Sequence, residues 1–304
     1  MDSVSLAGAS EPNGIDSMPK PNLLLIRGLG HSGTTILDLA LGAHPRIAGL
    51  GEAARLLEPR PEDARLPPVL LRGELRFKRR CSCGQPASDC PVWGPYLEWL
   101  IVHDDLSMFA KAEKLLETLA VASDASGQPL AWAVESTQSD RLWPTLSLEG
   151  SEVRVVYLVR DVRSWCNSHC RKTGRPAVLA LTRWAMQNRR MERFLRKSGL
   201  PVFQLGYEEL ALAPVKALTS LCQWLSLDFD EAMLHPLKHT TSHVLVGNRA
   251  RKRASSAAIR YDGAWLGSAS GLIQAAPMLP FIGARNRRCV YGNGFLRKET
   301  PKQR

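Results

Sequence analysis

The chain has little cysteine, and it lacks any apolar run of membrane-spanning length. Its 304 residues include 7 cysteines, too few and too scattered for a disulfide-stabilised scaffold. No stretch of about 18 apolar residues occurs, so the sequence predicts no membrane span. Internal repeats are absent, and no zinc-finger, homeodomain or aromatic RNA-binding motif accompanies the basic residues. We therefore expect a soluble, cytoplasmic protein without nucleic acid among its partners.

Positive charge is concentrated in the second half of the chain. Residues 1–150 carry 14 Lys and Arg against 19 Asp and Glu, whereas residues 151–304 carry 26 against 10. Such a field suits a ligand with several phosphate or sulfate groups. The alternative is a solvated basic helix face, formed by Arg189, Arg190, Arg193, Arg196 and Lys197.

A glycine-rich loop between a predicted strand and a predicted helix is the most informative segment. Residues 23–26 form a short apolar run typical of a buried parallel strand, and residues 36–41 supply the apolar face of a helix. The turn between them directs N–H groups and hydroxyls at one spot beside the positive end of the helix dipole, which indicates a phosphate site. The lysine that ends a nucleotide-kinase loop is missing. The candidate residues are Gly30, His31, Ser32, Gly33, Thr34 and Thr35.

A second segment predicts another phosphate contact. The β-branched run over residues 153–159 ends at Arg160, and Ser168 follows about two turns into the next predicted helix. Ligands of open α/β sheets collect at the carboxyl ends of strands. An arginine there can hold a phosphate with two hydrogen bonds, and a serine hydroxyl adds a donor. The alternative is a local ion pair between Arg160 and Asp161.

Four motifs occur in one order along residues 22–265. The first is Gly-His-Ser-Gly-Thr-Thr at 30–35 with Ala-His-Pro-Arg-Ile at 43–47, and the second is Tyr-Leu-Val-Arg-Asp-Val-Arg at 157–163 with Ser168. Tyr-Glu-Glu-Leu at 207–210 and a C-terminal stretch beginning Gly-Asn at 247–248 complete the set. Together they resemble the sulfotransferases that use 3′-phosphoadenosine 5′-phosphosulfate (PAPS), in a bacterial-type form with motifs of carbohydrate and tyrosine sulfotransferases.

The order of predicted elements indicates an α/β fold, and the resemblance refines it. It implies a P-loop-like parallel sheet flanked by helices, with an inserted helical or irregular acceptor region at about 53–128. The expected domain spans 21–296, after a disordered lead at 1–20 and before a basic tail at 297–304.

The resemblance also implies the cofactor and the acceptor. PAPS would be the donor and PAP the product, with no metal required. The acceptor would be a small molecule or carbohydrate, with a saccharide or glycolipid hydroxyl favoured over an amine. Loop residues 30–35 would hold the 5′-phosphosulfate. The remaining cofactor-binding residues implied are Arg160, Ser168, Gly247, Asn248 and Arg251.

Two residues are the catalytic candidates. Glu52 lies at the end of what we interpret as a turn over residues 48–52, where similar enzymes place a glutamate base; the alternative is a first-turn acid of a helix at 53–57. His31 occupies a position where the family usually has lysine or arginine beside the leaving group, and the alternative is a structural histidine. A second departure is Gln138, where many relatives have lysine.

Three cysteines stand close together in sequence. Cys81, Cys83 and Cys90 suggest a metal site, but a closed zinc site needs four ligands and no fourth stands at ordinary spacing. His103 could join only through folding. We expect packing or a local disulfide here, with metal binding and redox catalysis as alternatives, and therefore no metal site.

Two other functions remain open. A nucleotide kinase or NTPase on a related P-loop scaffold lacks its loop lysine and a convincing aspartate for Mg²⁺. A non-catalytic PAP-binding protein is favoured by His31 and Gln138.

Overall fold

The chain is described by a computed structural model over residues 19–57, 79–127, 129–137, 148, 150–236, 242–246 and 259–296. Residues 1–18 of the predicted lead at 1–20, the tail at 297–304 and four residues of the sequence argument lie outside these described residues. Those four are Gln138, Gly247, Asn248 and Arg251.

The centre of the fold is a five-stranded sheet in which every pair of neighbouring strands is parallel. The strand order is β2-β3-β1-β4-β5, which places the predicted strand at the start of the chain in the middle. Leu23 pairs with Ala133 on one side and with Val153 on the other. The strands are β1 (Asn22–Arg27), β2 (Ile47–Gly51), β3 (Trp132–Glu135), β4 (Val153–Val159) and β5 (Val202–Gly206).

Helices connect the strands and continue beyond the last one. In chain order they are α1 (Thr34–Leu41), α2 (Ala54–Leu57), α3 (Trp93–Val102), α4 (Met108–Ala125), α5 (Val162–Thr173), α6 (Ala177–Ser198), α7 (Tyr207–Leu212), α8 (Pro214–Trp224), α9 (Trp265–Ser268), α10 (Gly271–Ala275) and α11 (Pro280–Val290). Short 3₁₀ segments cover Ala87–Asp89, Glu231–Leu234 and Ala276–Met278.

Alternate residues of β1 feed two separate cores. Leu23 and Leu25 pack into a cluster with side chains of α3, α4, α5 and α6. Leu24 and Ile26 pack into a second cluster with side chains of α1, α7 and α8. Side chains of a strand alternate between the faces of a sheet, so helices cover both faces of this one. The predicted fold class, a parallel α/β sheet flanked by helices, is confirmed.

Most predicted elements match the observed ones, with one clear error. Residues 48–52, which we interpreted as a turn, are strand β2 and the residue after it. The strand was missed because it is short, carries two glycines and has a register irregularity between Gly49 and Gly51. The expected insertion after it contains α2, α3 and α4, and helices α9 to α11 had no counterpart in the prediction. Among the described residues, no helix is both long and apolar enough to cross a membrane.

Candidate active site

Candidate residues from three strands meet at one edge of the sheet. The strands run parallel, so the loop after β1, Glu52 after β2 and Arg160 after β4 all lie at the carboxyl edge. Strand β1 is central, with β4 beside it and β2 two positions away on the other side. At about 4.8 Å per strand spacing, β2 and β1 are about 10 Å apart. Glu52 and Arg160 therefore flank the loop from opposite sides.

Three carbonyl groups of the loop accept hydrogen bonds from other groups of the protein. Leu29 O accepts a hydrogen bond from Ser32 N–H at 3.0 Å, and Gly30 O accepts one from Trp165 Nε1 at 2.7 Å. His31 O accepts one from Arg160 at 2.8 Å. In a trans peptide the next N–H points opposite to the carbonyl. The N–H of His31 therefore points away from Trp165, and the N–H groups of the first turn of α1 point out of the N-terminal end of that helix. This arrangement suits an anion.

The shape of the loop depends on Gly33. Its φ of +93° lies in the left-handed region, and a Cβ placed there would be 2.4 Å from Cδ2 of Tyr207. Tyr207, at the start of α7, donates its hydroxyl hydrogen to Arg260 O and lies under the Arg160 guanidinium, 4.9 Å from the ring centroid. The aromatic ring thus packs against both the loop and the predicted phosphate-binding arginine. Only glycine fits at position 33 without moving that ring.

Arg160 is almost buried and contacts three different segments. Its guanidinium donates to Ser164 Oγ at 2.8 Å, to His31 O, and to an Asp262 carboxylate oxygen at 2.5 Å. The ion pair predicted as the alternative, between Arg160 and Asp161, is not the observed one, because Asp161 binds Arg163 instead. A carboxylate therefore lies against Arg160 where the sequence argument places a phosphate.

The serine that contacts Arg160 is Ser164, one turn before the predicted Ser168. Ser168 lies on α5 four residues later and is half-buried. Positions four apart share one face of a helix. Ser164 and Ser168 therefore present hydroxyls along the same side of α5, and the role of Ser168 stays a prediction.

Glu52 is mostly buried at the end of β2. Its N–H donates to Val246 O at 2.9 Å, and its carboxylate pairs with Arg55 at 2.8 Å. Burial raises the pKa of Glu52 above its usual value, and nearby Glu135 adds to the rise, although Arg55 opposes both. The residue precedes α2, as the alternative interpretation requires. Its raised pKa nevertheless suits a proton acceptor.

A buried ion pair supports the strand ends beside Glu52. Glu135, at the end of β3, accepts from Arg27 at 3.0 Å, and both side chains are 2% exposed or less. The other Glu135 oxygen accepts from Ala54 N–H at 3.3 Å and from Thr137 N–H at 2.8 Å. Glu135 thus fixes the start of α2, two residues after Glu52. The hydroxyl of Thr137 is buried without a hydrogen-bond partner among the described residues.

His31 lies beside a second histidine. The His31 and His169 rings meet edge to face with centroids 6.3 Å apart, and His169 stacks on Trp165 at 4.8 Å. Burial lowers the pKa of His31, and the positive charges of Lys172, His169 and Arg160 lower it further. Its surroundings therefore favour the neutral imidazole, which has one ring N–H to donate.

A cavity of about 350 Å³ adjoins the loop. Its lining includes three basic side chains, Lys172, Arg183 and Arg190, together with His31 and no carboxylate among the described residues. Glu52, Arg160 and Ser168 are not part of that lining. The cavity is large enough for a small ligand and favours a negatively charged one.

Sequence reasoning predicted Gly30 and His31 of this cavity but missed its lining residues on α5 and α6, although a signal was present. His169, Lys172 and Thr173 recur at helical spacing on α5, and Arg183, Gln187 and Arg190 do so on α6, as the sequence shows. Arg190 belongs to the basic helix face that the sequence analysis gives as solvated in its alternative interpretation, whereas in the structure it lines the cavity. Asp262 lies in the C-terminal stretch of the fourth motif, and no sequence pattern predicts its contact with Arg160.

The cysteine cluster differs from its prediction. All seven cysteines are free, so the local disulfide is not formed. His103 stacks on Trp99 at 4.5 Å and does not join the cysteines. His243, which follows Cys90 by 153 residues and so lies outside ordinary ligand spacing, joins them instead.

One buried acid beside the site predicts a pH dependence of stability. Glu208 accepts from Asp161 N–H at 2.9 Å, while its other oxygen has no hydrogen-bond partner among the described residues. Burial raises the pKa of Glu208 from 4.5 to about 7. Between pH 4.5 and about 7, Glu208 keeps its proton in the folded protein but has released it in the unfolded chain. The free energy of unfolding therefore falls as the pH rises through this range.

We expect Glu208→Gln to remove this dependence. The difference in free energy of unfolding, variant minus wild type, should increase by about 1–3 kcal/mol as the pH rises from about 5 to about 8. Urea unfolding at several pH values measures the difference. A difference that stays constant across the range would contradict the assignment.

Comparison with known proteins gives structural neighbours only: no family model matches the sequence, and no curated protein matches it. One similar solved structure is the sulfotransferase domain from the curacin biosynthetic pathway, with 21% identity, 71% of this chain and 77% of that chain covered, and a TM-score of 0.42. Another is the sulfotransferase domain of the Synechococcus PCC 7002 olefin synthase, with 19% identity, coverage of 91% and 98%, and a TM-score of 0.48. Similarity at this level carries no argument about function, which must rest on the site.

Proposed function

We propose that this chain is a sulfotransferase that moves a sulfuryl group from PAPS to a hydroxyl group of an acceptor. One observation carries the proposal. An anion-binding loop lies between a nearly buried arginine and a mostly buried carboxylate with a raised pKa, all at one edge of the sheet. Sulfuryl transfer needs a site that holds the donor and stabilises its leaving phosphate, which the loop and the arginine would form together, and a base for the acceptor proton.

The donor would bind across the loop and the start of α5. The N–H groups of the loop, with the hydroxyls of Ser32, Thr34 and Thr35, would hold the 5′-phosphosulfate. Arg160 would bind the 3′-phosphate with Ser168 or Ser164 once Asp262 has left its guanidinium. Gly247, Asn248 and Arg251 remain part of this proposal from the sequence resemblance.

The chemistry follows from two side chains. The acceptor oxygen would attack sulfur in line, the bond between sulfur and the bridging oxygen would break to release PAP, and Glu52 would take the acceptor proton. A raised pKa makes Glu52 a better base than an exposed glutamate. His31 would donate a ring hydrogen bond to the leaving oxygen, and the bound anion would favour its protonated form.

A magnesium-dependent kinase fits the same edge less well. A metal nucleotide needs carboxylate ligands for Mg²⁺, and the described lining of the cavity contains none. The carboxylate base favours an aliphatic hydroxyl, and we propose a saccharide or a similar small molecule as the acceptor.

Calorimetric titration with PAP, with ATP and Mg²⁺ run in parallel, tests the donor site. We expect PAP to bind with micromolar affinity and Arg160→Ala to weaken it by about 30- to 1,000-fold, or 2–4 kcal/mol. Arg193→Ala, which removes an exposed arginine of α6, is the matched control and should bind as the wild type does.

Arg160→Ala removes a ligand contact and also a hydrogen bond to the loop, at His31 O. A second variant, Asp262→Asn, leaves that hydrogen bond in place and so separates the two effects. Hydrogen bonds from Ala264 N–H and Arg160 keep the pKa of Asp262 low although burial acts in the opposite direction. Its carboxylate therefore competes with a phosphate, and Asp262→Asn should tighten PAP binding by up to about tenfold. Binding of ATP with Mg²⁺ but not of PAP would overturn the proposal.

A further inference from the structure

Four side chains that the proposed reaction does not use form a compact cluster. The ligand atoms of Cys81, Cys83, Cys90 and His243 all lie within 4.8 Å of one another. Three come from the insertion after β2, and the fourth follows Cys90 by 153 residues. The chain therefore brings three sulfur atoms and one imidazole nitrogen together from two distant segments.

The distances agree with the edges of a metal-centred tetrahedron. The Nδ1 atom of His243 lies 3.3 Å from Sγ of Cys90 and 4.0 Å from Sγ of Cys81. With a Zn–S distance near 2.3 Å and a Zn–N distance near 2.05 Å, tetrahedral geometry separates sulfur and nitrogen by about 3.6 Å. A small adjustment of side-chain torsions would bring both contacts to this value.

The backbone presents Cys81 and Cys83 in a tight hairpin, and Cys90 follows the short 3₁₀ segment after it. Arg80 and Pro86 form an isolated antiparallel bridge, and Cys81 N–H donates to Gln85 O at 2.8 Å. Gly84 closes the turn with a φ of +91°. Cys90 Sγ accepts from Trp93 N–H at 3.4 Å, a contact that would stabilise a thiolate bound to a metal.

Hydrogen bonds of its backbone fix the position of His243. Its N–H donates to Gly49 O at 2.8 Å, and its carbonyl accepts from Trp93 Nε1 at 2.5 Å. Ser82, between the first two cysteines, donates to Ser242 O at 2.6 Å and accepts from Val244 N–H at 2.8 Å. The hairpin and the segment at 242–246 are thus attached to each other at several points beside the cluster.

The same segment lies along the free edge of β2. Val246 forms a bridge with Gly51 and accepts the N–H of Glu52 at 2.9 Å. A crosslink between the hairpin and His243 would therefore hold the strand that positions Glu52.

We propose that Cys81, Cys83, Cys90 and His243 bind one Zn²⁺ as a closed structural site that fixes the segment at 242–246 against β2. Zinc favours three thiolates and one imidazole in a tetrahedral set, and four protein ligands leave no open position for catalysis. Binding displaces the thiol protons and leaves the imidazole neutral, so no redox step is involved.

The metal content of the full chain tests this directly. Protein purified without chelators should contain one zinc per chain by elemental mass spectrometry. Cobalt added to the zinc-free protein should give the visible absorption of a tetrahedral thiolate site.

Cys83→Ser and His243→Gln should weaken the affinity for zinc by at least tenfold, measured in competition with a chromophoric chelator. Cys83 is exposed, so its variant is the one expected to fold. The matched controls are Cys170→Ser and His103→Gln.

Hydrogen exchange tests the structural consequence. Zinc should slow exchange of the Glu52 and His243 amides by at least tenfold, because both donate across the crosslinked edge. The proposal is overturned by a folded protein that holds no zinc and gives no tetrahedral cobalt spectrum, by variants that bind zinc as tightly as the wild type, or by an intact mass showing a disulfide among these cysteines. None of these measurements depends on PAP binding.

Discussion

Replacing Glu52 with glutamine is expected to lower the turnover of sulfuryl transfer by about 10²- to 10⁴-fold while PAP affinity changes by no more than a few-fold. The substitution keeps the size of the side chain and removes its ability to take a proton. Transfer of labelled sulfate from PAPS to an acceptor found with the wild type measures the loss, and calorimetry measures PAP affinity. Glu98→Gln, on the exposed face of α3, is the matched control.

The pH profile distinguishes a base from a structural acid. Transfer should fall as the pH drops through the pKa of Glu52, which burial places above 4.5. Arg55 lowers that pKa, so Arg55→Met should move the acidic limb of the profile to higher pH. A limb that stays in place, or loss of PAP binding in Glu52→Gln, would make Glu52 structural. PAP binding without any transfer in the wild type would instead favour a non-catalytic binding protein.

The sequence was sufficient for the central part of the fold. Strands β1 and β4 are buried on both faces, and their continuous apolar runs are visible without a structure. Strand β2 was missed because its pairing with β3 and its cover by residues 242–246 are long-range contacts, which no local pattern records. Helices α9 to α11 were missed for a related reason: they are short or only partly apolar, and packing rather than propensity defines them.

The residues of the site also divide into those that local sequence patterns predict and those that only long-range contacts bring together. The position of the loop at 30–35 and of Arg160 at one edge of the sheet could be predicted because each follows a predicted strand, and parallel strands bring their carboxyl ends together. Asp262 and His243 were not found as partners, since each joins its neighbours across more than 100 residues of chain. The fourth member of the cysteine cluster is a property of the fold, which the spacing of the cysteines along the chain does not reveal.

Replacing Glu135 with leucine is expected to cost about 3–5 kcal/mol of folding stability, the largest effect on stability that we predict. The change removes a buried carboxylate from three donors: the N–H groups of Ala54 and Thr137, and Arg27, which keeps its hydrogen bond to Ile26 O. Arg27→Met removes only one donor from Glu135, which keeps the two backbone N–H groups. Urea unfolding should therefore show a smaller loss for Arg27→Met than for Glu135→Leu.

The double variant separates the ion pair from the backbone contacts. If the charge pair dominated, Arg27→Met combined with Glu135→Leu would recover nearly all the stability, because no buried charge would remain unpaired. We expect only partial recovery, since the N–H groups of Ala54 and Thr137 still lack their acceptor. Ala54 begins α2 two residues after Glu52, so the double variant should also lose transfer activity while binding PAP. Full recovery of stability and transfer would show that Glu135 serves Arg27 alone.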